Sequence, residues 1–180
     1  RKDLIDRHDL YSASDSEVLL HLSEEHGLEQ SLNKLNGTWA LALWDEKEKA
    51  LFLSRDRVGK KPLYYHHNRE RLIYASELKA LEVFPGFEKR ISKKALYLYL
   101  RYGYIPAPYS IYEDVFKLPQ ASFAKYQEGE LTISPYWELR SKQEEGRSLT
   151  DWSEELEALL EDAVKIRLMS DVELGLFLSG

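Results

Sequence analysis

The sequence predicts an α+β protein: a layered helix-and-sheet domain over residues 1–137, a polar linker over 138–150, and the start of an α/β domain over 151–180. Three observations carry this reading. Trp39, Leu41 and Leu43 alternate with Ala40, Ala42 and Trp44, so both faces of one strand are apolar. Such a strand must be covered on both sides, which sets its sheet inside a layered structure. Further short strand-like segments follow, separated by charged or Asn/Gly turns, in the manner of antiparallel hairpins. Near the end, an amphipathic helix precedes the apolar run Leu174–Leu178 and then Ser179-Gly180, the order in which an α/β unit begins.

The elements follow in order. The chain opens on Arg1-Lys2-Asp3-Leu4-Ile5 in the style of a helix, without an initiator Met, and reads as an internal piece of a longer protein. Ser14-Asp15-Ser16-Glu17 has the form of a capping box, in which Ser14 accepts from the amide three residues on and Glu17 reaches back. Val18, Leu19 and Leu22 give the helix an apolar stripe to about His26, and Gly27 ends it. A second helix spans Leu28 to Leu35. Strands are expected at Thr38 to Trp44 and Ala50 to Arg55 around the charged turn 45–49, then at Pro62 to His66 and Arg71 to Ala75 around Asn68, as one antiparallel meander. Glu77 to Glu82 is a short helix. Ser92 caps another, with Leu96, Tyr99 and Leu100 on one face and Gly103 as terminator. A last hairpin joins Ser122–Tyr126 to Glu130–Ser134 at Glu128-Gly129. From Asp151, paired with Glu154 as a second capping box, Trp152, Leu156, Leu159, Leu160, Ala163, Val164 and Leu168 share one helical face.

Composition narrows the function classes. In 180 residues, 43% are hydrophobic and 12% aromatic, which supports a packed core rather than disorder. A net charge of −6 supplies no basic field for nucleic acid. No apolar run approaches the length of a membrane span. Without cysteine, the window holds no disulfide and no thiolate metal site, which suits the reducing cytoplasm.

Few residues suggest chemistry. Asp15, in the first turn of a helix, reads most simply as helix-start electrostatics. The sharper reading is a carboxylate that binds a substrate ammonium. Arg55-Asp56-Arg57-Val58-Gly59-Lys60-Lys61 is a basic turn in which Arg55 and Asp56 pair and Gly59 takes an unusual backbone angle. A phosphate site there is the weaker alternative, because no helix follows. His66 and His67 point to opposite faces of a strand and cannot share a metal. His8, His21 and His26 have no ligand spacing, so no metal site is assigned. Tyr97, Tyr99, Tyr102 and Tyr104 read as packing residues. Glu154 and Glu155 read as a solvated helix face. Ser179-Gly180 after an apolar run opens a loop of the kind whose amides bind phosphate.

Together these segments resemble the glutamine-dependent asparagine synthetases of the B type. The matching stretches are Ser14-Asp15-Ser16-Glu17-Val18-Leu19-Leu20, Leu35-Asn36-Gly37, Ala40-Leu41-Ala42-Leu43-Trp44-Asp45 and Arg55-Asp56-Arg57-Val58-Gly59 through Tyr65. They continue with Ala75-Ser76-Glu77-Leu78-Lys79-Ala80-Leu81, Tyr102-Gly103-Tyr104-Ile105-Pro106, Lys117-Leu118-Pro119, Pro135-Tyr136-Trp137 and Arg167-Leu168-Met169-Ser170-Asp171-Val172, ending at Leu178-Ser179-Gly180. They occur in the family's order from about residue 12 to the end.

The resemblance implies an Ntn-type αββα sandwich, the class II glutamine amidotransferase domain, followed by an ATP-pyrophosphatase-like domain. It implies ammonia from glutamine, carried through an internal tunnel to an aspartate adenylated with ATP and Mg²⁺. It gives Asp15 the α-ammonium of glutamine, and Leu178, Ser179 and Gly180 the opening of the pyrophosphate loop; Arg55, Asp56 and Gly59 take a structural role. The nucleophilic cysteine and an Asn-Gly-Glu glutamine-binding segment would lie before Arg1, so the window has no catalytic residue and is expected to be inactive alone. Asn36-Gly37 is not that segment. Glutamine, aspartate and ATP are the implied partners, with neither nucleic acid nor membrane, and the family reading allows a homodimer. Glu173 replaces the family's usual Pro, and Pro119-Gln120-Ala121 its Pro-Pro-Gly. These departures mark a divergent member and keep two alternatives open: a related ligase amidating another carboxylate in natural-product or cell-surface polymer synthesis, or a non-catalytic relative.

Overall fold

A computed structural model describes residues 10–12, 14–141 and 146–178. The helix expected over Arg1–Ile5 and the Ser179-Gly180 turn lie outside them. The chain divides into two compact units, Arg1–Leu139 and Arg140–Gly180.

In the first unit, α1 (Asp15–His26) and α2 (Leu28–Lys34) meet at Gly27. With φ 76°, Gly27 closes α1 by donating its amide to Ser23 O, while its own carbonyl accepts the Ser31 hydroxyl at 2.7 Å. The predicted capping box at the head of α1 does not form. Ser14 Oγ accepts from Ser16 N at 3.1 Å, and Glu17 reaches upstream past the cap, accepting from Tyr11 N at 2.6 Å and Ser12 N at 2.8 Å.

Two antiparallel sheets follow, instead of the single meander expected. The first has the order β1-β2-β6-β7, from β1 (Ala40–Asp45), β2 (Ala50–Arg55), β6 (Ser122–Gln127) and β7 (Glu130–Pro135). The second has the order β4-β3-β5, from β3 (Tyr64–His67), β4 (Leu72–Ala75) and the short β5 (Val115–Lys117). Local turns make the three hairpins. Asp45 Oδ1 accepts from Lys47 N and Glu48 N, Asn68 Oδ1 accepts from Glu70 N and Arg71 N, and Glu128 and Gly129 both take positive φ. What splits the meander is a non-local pairing: β2 takes β6 as its second neighbour, with Leu53 opposite Ala124.

The pleat then distributes the core. Phe52, Leu41, Leu43 and Phe123 face the helices, where they pack around Leu28, Leu32 and Tyr136. Leu53 and Ala124 face the other way and join Leu63 and Leu118, with Leu72 and Tyr65 of the second sheet. On that sheet's other face, Ile73 and Val115 bury Leu81 of α3 (Leu78–Glu82). Strand β1 is an edge, and its outward Trp44 is 53% exposed, less covered than the two-faced apolar pattern predicts. α4 (Lys93–Tyr102) is capped as predicted, with Ser92 Oγ accepting from Ala95 N and left-handed Gly103 donating to Tyr99 O. Ala95 is its buried residue; Leu96, Tyr99 and Leu100 share a face that is exposed.

In the second unit, α5 runs Leu149–Lys165. Its capping box lies three residues before the predicted one: Ser148 is the cap and Asp151 is the reciprocating carboxylate, so Asp151 with Glu154 is not the box. The apolar face of α5 buries no residue. The strand expected over Leu174–Leu178 is not formed, and Leu176, Phe177 and Leu178 are exposed. A strand needs a neighbour to take its amides and carbonyls, and no other strand exists among the described residues of this unit.

Candidate functional site

Asp15 is the first residue of α1, exposed, where unpaired amides and the helix dipole favour a negative charge. No described residue pairs with its carboxylate. The ground beneath it is stiffened by Glu17. Hydrogen bonds from Ser12 and Tyr11 hold the Glu17 carboxyl below its usual range, and they tie residues 11 and 12 to the first turn of the helix. The sequence placed Glu17 in the cap; its reach to Tyr11 depends on a chain path that spacing does not encode.

The basic loop 55–61 is built differently from its expectation. Arg55 and Asp56 do not pair. Arg55 donates to three carbonyls: Lys61 O at 2.7 Å, Leu118 O at 2.9 Å and Gly59 O at 2.6 Å. Asp56 is fully buried and accepts from Trp39 N, Val58 N, Lys60 N and Lys61 N. Burial pushes its carboxyl up, and these amides outweigh that and hold it below its ordinary value. Gly59, at φ 66°, would place a Cβ 3.0 Å from Arg55 Cζ. The amides of Val58, Gly59, Lys60 and Lys61 and the Arg55 guanidinium are thus occupied by the protein itself, which accords with a structural role for Arg55, Asp56 and Gly59.

Tyr136, in the motif Pro135-Tyr136-Trp137, packs against the loop. Its hydroxyl donates to Arg55 O at 3.0 Å and its ring stacks on Trp39 at 6.1 Å. Burial, with the nearby Asp56 carboxylate, pushes Tyr136 up to about 12 against the opposing charge of Arg57. Arg57 in turn donates to Asn33 O at 2.8 Å and lies over the Trp137 ring. The loop therefore joins β1, α2 and the end of β7. Lys117 donates to Ile105 O, and burial, helped by Arg55, pushes its ammonium down. It lies in the motif Lys117-Leu118-Pro119, which gave it no individual role.

His66 and His67 face apart as expected, His66 Nδ1 lying 2.8 Å from Asp114 O and His67 Nε2 2.9 Å from Gly129 O. Tyr97, Tyr99, Tyr102 and Tyr104 are about half exposed rather than packed. Among the described residues, no group of three His, Asp or Glu could hold a metal ion, and no helix is long and apolar enough to cross a membrane. Leu178 is exposed, in the second unit.

Residues 1–137 match the family described as a glutamine amidotransferase domain, and residues 155–180 match asparagine synthase. The chain is 39% identical over 175 residues to a putative glutamine-hydrolysing asparagine synthetase 2 of Methanocaldococcus jannaschii, covering 94% of this chain and 33% of that protein. It is 34% identical over 182 residues to glutamine-hydrolysing asparagine synthetase 3 of Bacillus subtilis, covering 100% of this chain and 29% of that protein. The chain thus spans about a third of the length of the curated relatives it matches. A mixed α/β unit with antiparallel sheets fills the first matched stretch, and the chain belongs to the glutamine amidotransferase domain family.

Proposed function

We propose that this chain is the part of a glutamine-hydrolysing asparagine synthetase where the glutaminase half passes into the synthetase half. The whole protein would make asparagine from aspartate with ATP and with ammonia released from glutamine. One observation carries the reading: a glutamine amidotransferase match over 1–137 is followed, in that order, by an asparagine synthase match over 155–180. The first unit is read as an Ntn-type αββα sandwich. Its supports are the three packing seams, helices on the first sheet, sheet on sheet, and α3 on the second sheet. The domains are read as 1–137 and 151–180 joined by 138–150.

Asp15 takes the α-ammonium of glutamine. An exposed carboxylate with no described partner, at a helix start braced by Glu17, suits that task. Leu178, Ser179 and Gly180 open the nucleotide loop in this reading, on the resemblance alone. ATP supplies the driving force when bound, because AMP leaves a carboxylate far more readily than hydroxide. The described residues offer no ligand set for the implied Mg²⁺, and no step is assigned through it. A chain without cysteine accords with the cytoplasm.

The test uses the full-length protein. Pyrophosphate release from ATP is followed with aspartate as acceptor and with glutamine or ammonium as nitrogen source. Release with both is expected, and release with neither overturns the reading. In the same assay Asp15→Asn should raise the glutamine KM tenfold or more, the loss of a charge-assisted bond of about 1.5–3 kcal/mol, and leave ammonium-driven synthesis unchanged. Equal loss of both activities would show Asp15 to be structural.

A further inference from the structure

The second sheet carries a cavity of about 490 Å³, within the range of roughly 300–1,000 Å³ that small-molecule sites occupy. Arg71 lines it. Its Nε–H is buried and meets no acceptor. The guanidinium sits over the Phe84 ring, with Cζ 5.0 Å from the centroid, and beside Gly86, where a Cβ would stand 3.5 Å from a terminal nitrogen. No described carboxylate pairs with it. An arginine stays charged at any working pH, so this one brings to the cavity lining a fixed positive charge whose Nε–H lacks an acceptor.

Another part of the lining has the opposite surplus. Glu88, Glu113 and Asp114 gather around a single cation, Arg90, at 3.3, 3.7 and 3.5 Å. His66 also lines the cavity, and its Nδ1 lies 2.8 Å from the Asp114 carbonyl, an acceptor, so this nitrogen carries the hydrogen. A dianionic phosphate would meet three carboxylates here. A simple amine would leave Arg71 unanswered. A ligand carrying one of each charge satisfies both.

We propose that this cavity binds a small zwitterion, a free α-amino acid, with its carboxylate on Arg71 and its ammonium among Glu113 and Asp114. The proposal does not rest on the glutamine reading of Asp15, and its test separates the two.

Glycine, acetate and methylammonium are titrated into the full-length protein while the side-chain Nε–Hε resonance of Arg71 is followed by NMR. Glycine should shift that resonance saturably, with at least tenfold tighter binding than either single-charge probe. Asp15→Asn should leave this response intact, and Arg71→Met should abolish glycine binding measured by calorimetry. Glu113→Gln should weaken glycine and leave acetate unchanged, which keeps the test decisive if Arg71→Met fails to fold. Acetate binding as tightly as glycine, glycine binding that survives Arg71→Met, or no saturable shift with glycine would each overturn the proposal.

Discussion

Asp56 is a carboxylate taken wholly out of water in the first unit. Its carboxylate is buried and accepts from amides at positions 39, 58, 60 and 61, so one side chain holds both a strand entrance and a loop. Because its pKa is lowered from 3.8 in the folded state, the stability it contributes is fully present above pH 3.8. That contribution is lost as pH falls through the lower folded value. Asp56→Asn replaces a pure acceptor with a group that is half donor and should cost about 3 kcal/mol in urea melts at neutral pH. The gap to the wild type should shrink as the melts are taken below pH 3.8. A gap that stays constant across that range would mean that Asp56 does not carry its charge in the folded state. The same contacts occupy the backbone amides of 58–61 that a phosphate would otherwise draw on in a Lys- and Gly-bearing loop.

At the scale of the element, turns show how far local chemistry reaches. Glu128 and Gly129 both sit at positive φ, 52° and 86°, as a two-residue hairpin of primed type requires. Glu pays for that angle where Asn adopts it more easily, so Glu128→Asn should stabilise the protein by about 0.5–1 kcal/mol. An unchanged or lower urea midpoint would refute this.

Such local signals were legible beforehand. The bounds of β2, the caps Ser92 and Gly103, the Asn68 turn and the stop at Gly27 all depend on residues within a few positions of one another. What escaped reading depends on distant neighbours. That β2 pairs with the distant β6 and not with the next strand β3 is encoded in no local pattern, and a three-residue strand such as β5 has no periodicity to detect. Glu17 misled because a carboxylate with a capping spacing was also near two amides upstream. Asp15 was legible as a candidate from helix-start chemistry and a quoted motif. The roles of Lys117 and Tyr136, both inside quoted motifs, and of Arg71, in none, were not legible, because burial and the partners they meet or lack are products of the tertiary fold.

At the scale of the whole molecule, the two units differ in how much they bury. Leu53 lies in the seam between sheets at 1% exposure, whereas Leu160 on α5 is 56% exposed. Leu53→Ala should therefore cost about 2–5 kcal/mol, the usual toll of an internal cavity. Leu160→Ala in this same chain should change stability by less than about 0.5 kcal/mol. Parallel chemical melts check both, and a large loss at Leu160 would mean that its helix face is covered in solution.

The register of β2 against β6 also sets an order of assembly. Ser54 Oγ donates to Ser122 O across 68 residues, and the whole second sheet is strung along the intervening chain. Closing so long a loop costs entropy before any contact repays it. Hairpins β3–β4 and β6–β7 can form early, each from its own turn. On loop-closure grounds the first sheet is expected to be completed after them, when β6 pairs with β2 and Leu53 and Ala124 meet Leu63 and Leu118. The long loop closed at the seam between the sheets therefore bears on how fast the chain folds more than on how stable it is once folded, because loop length enters the rate through closure entropy.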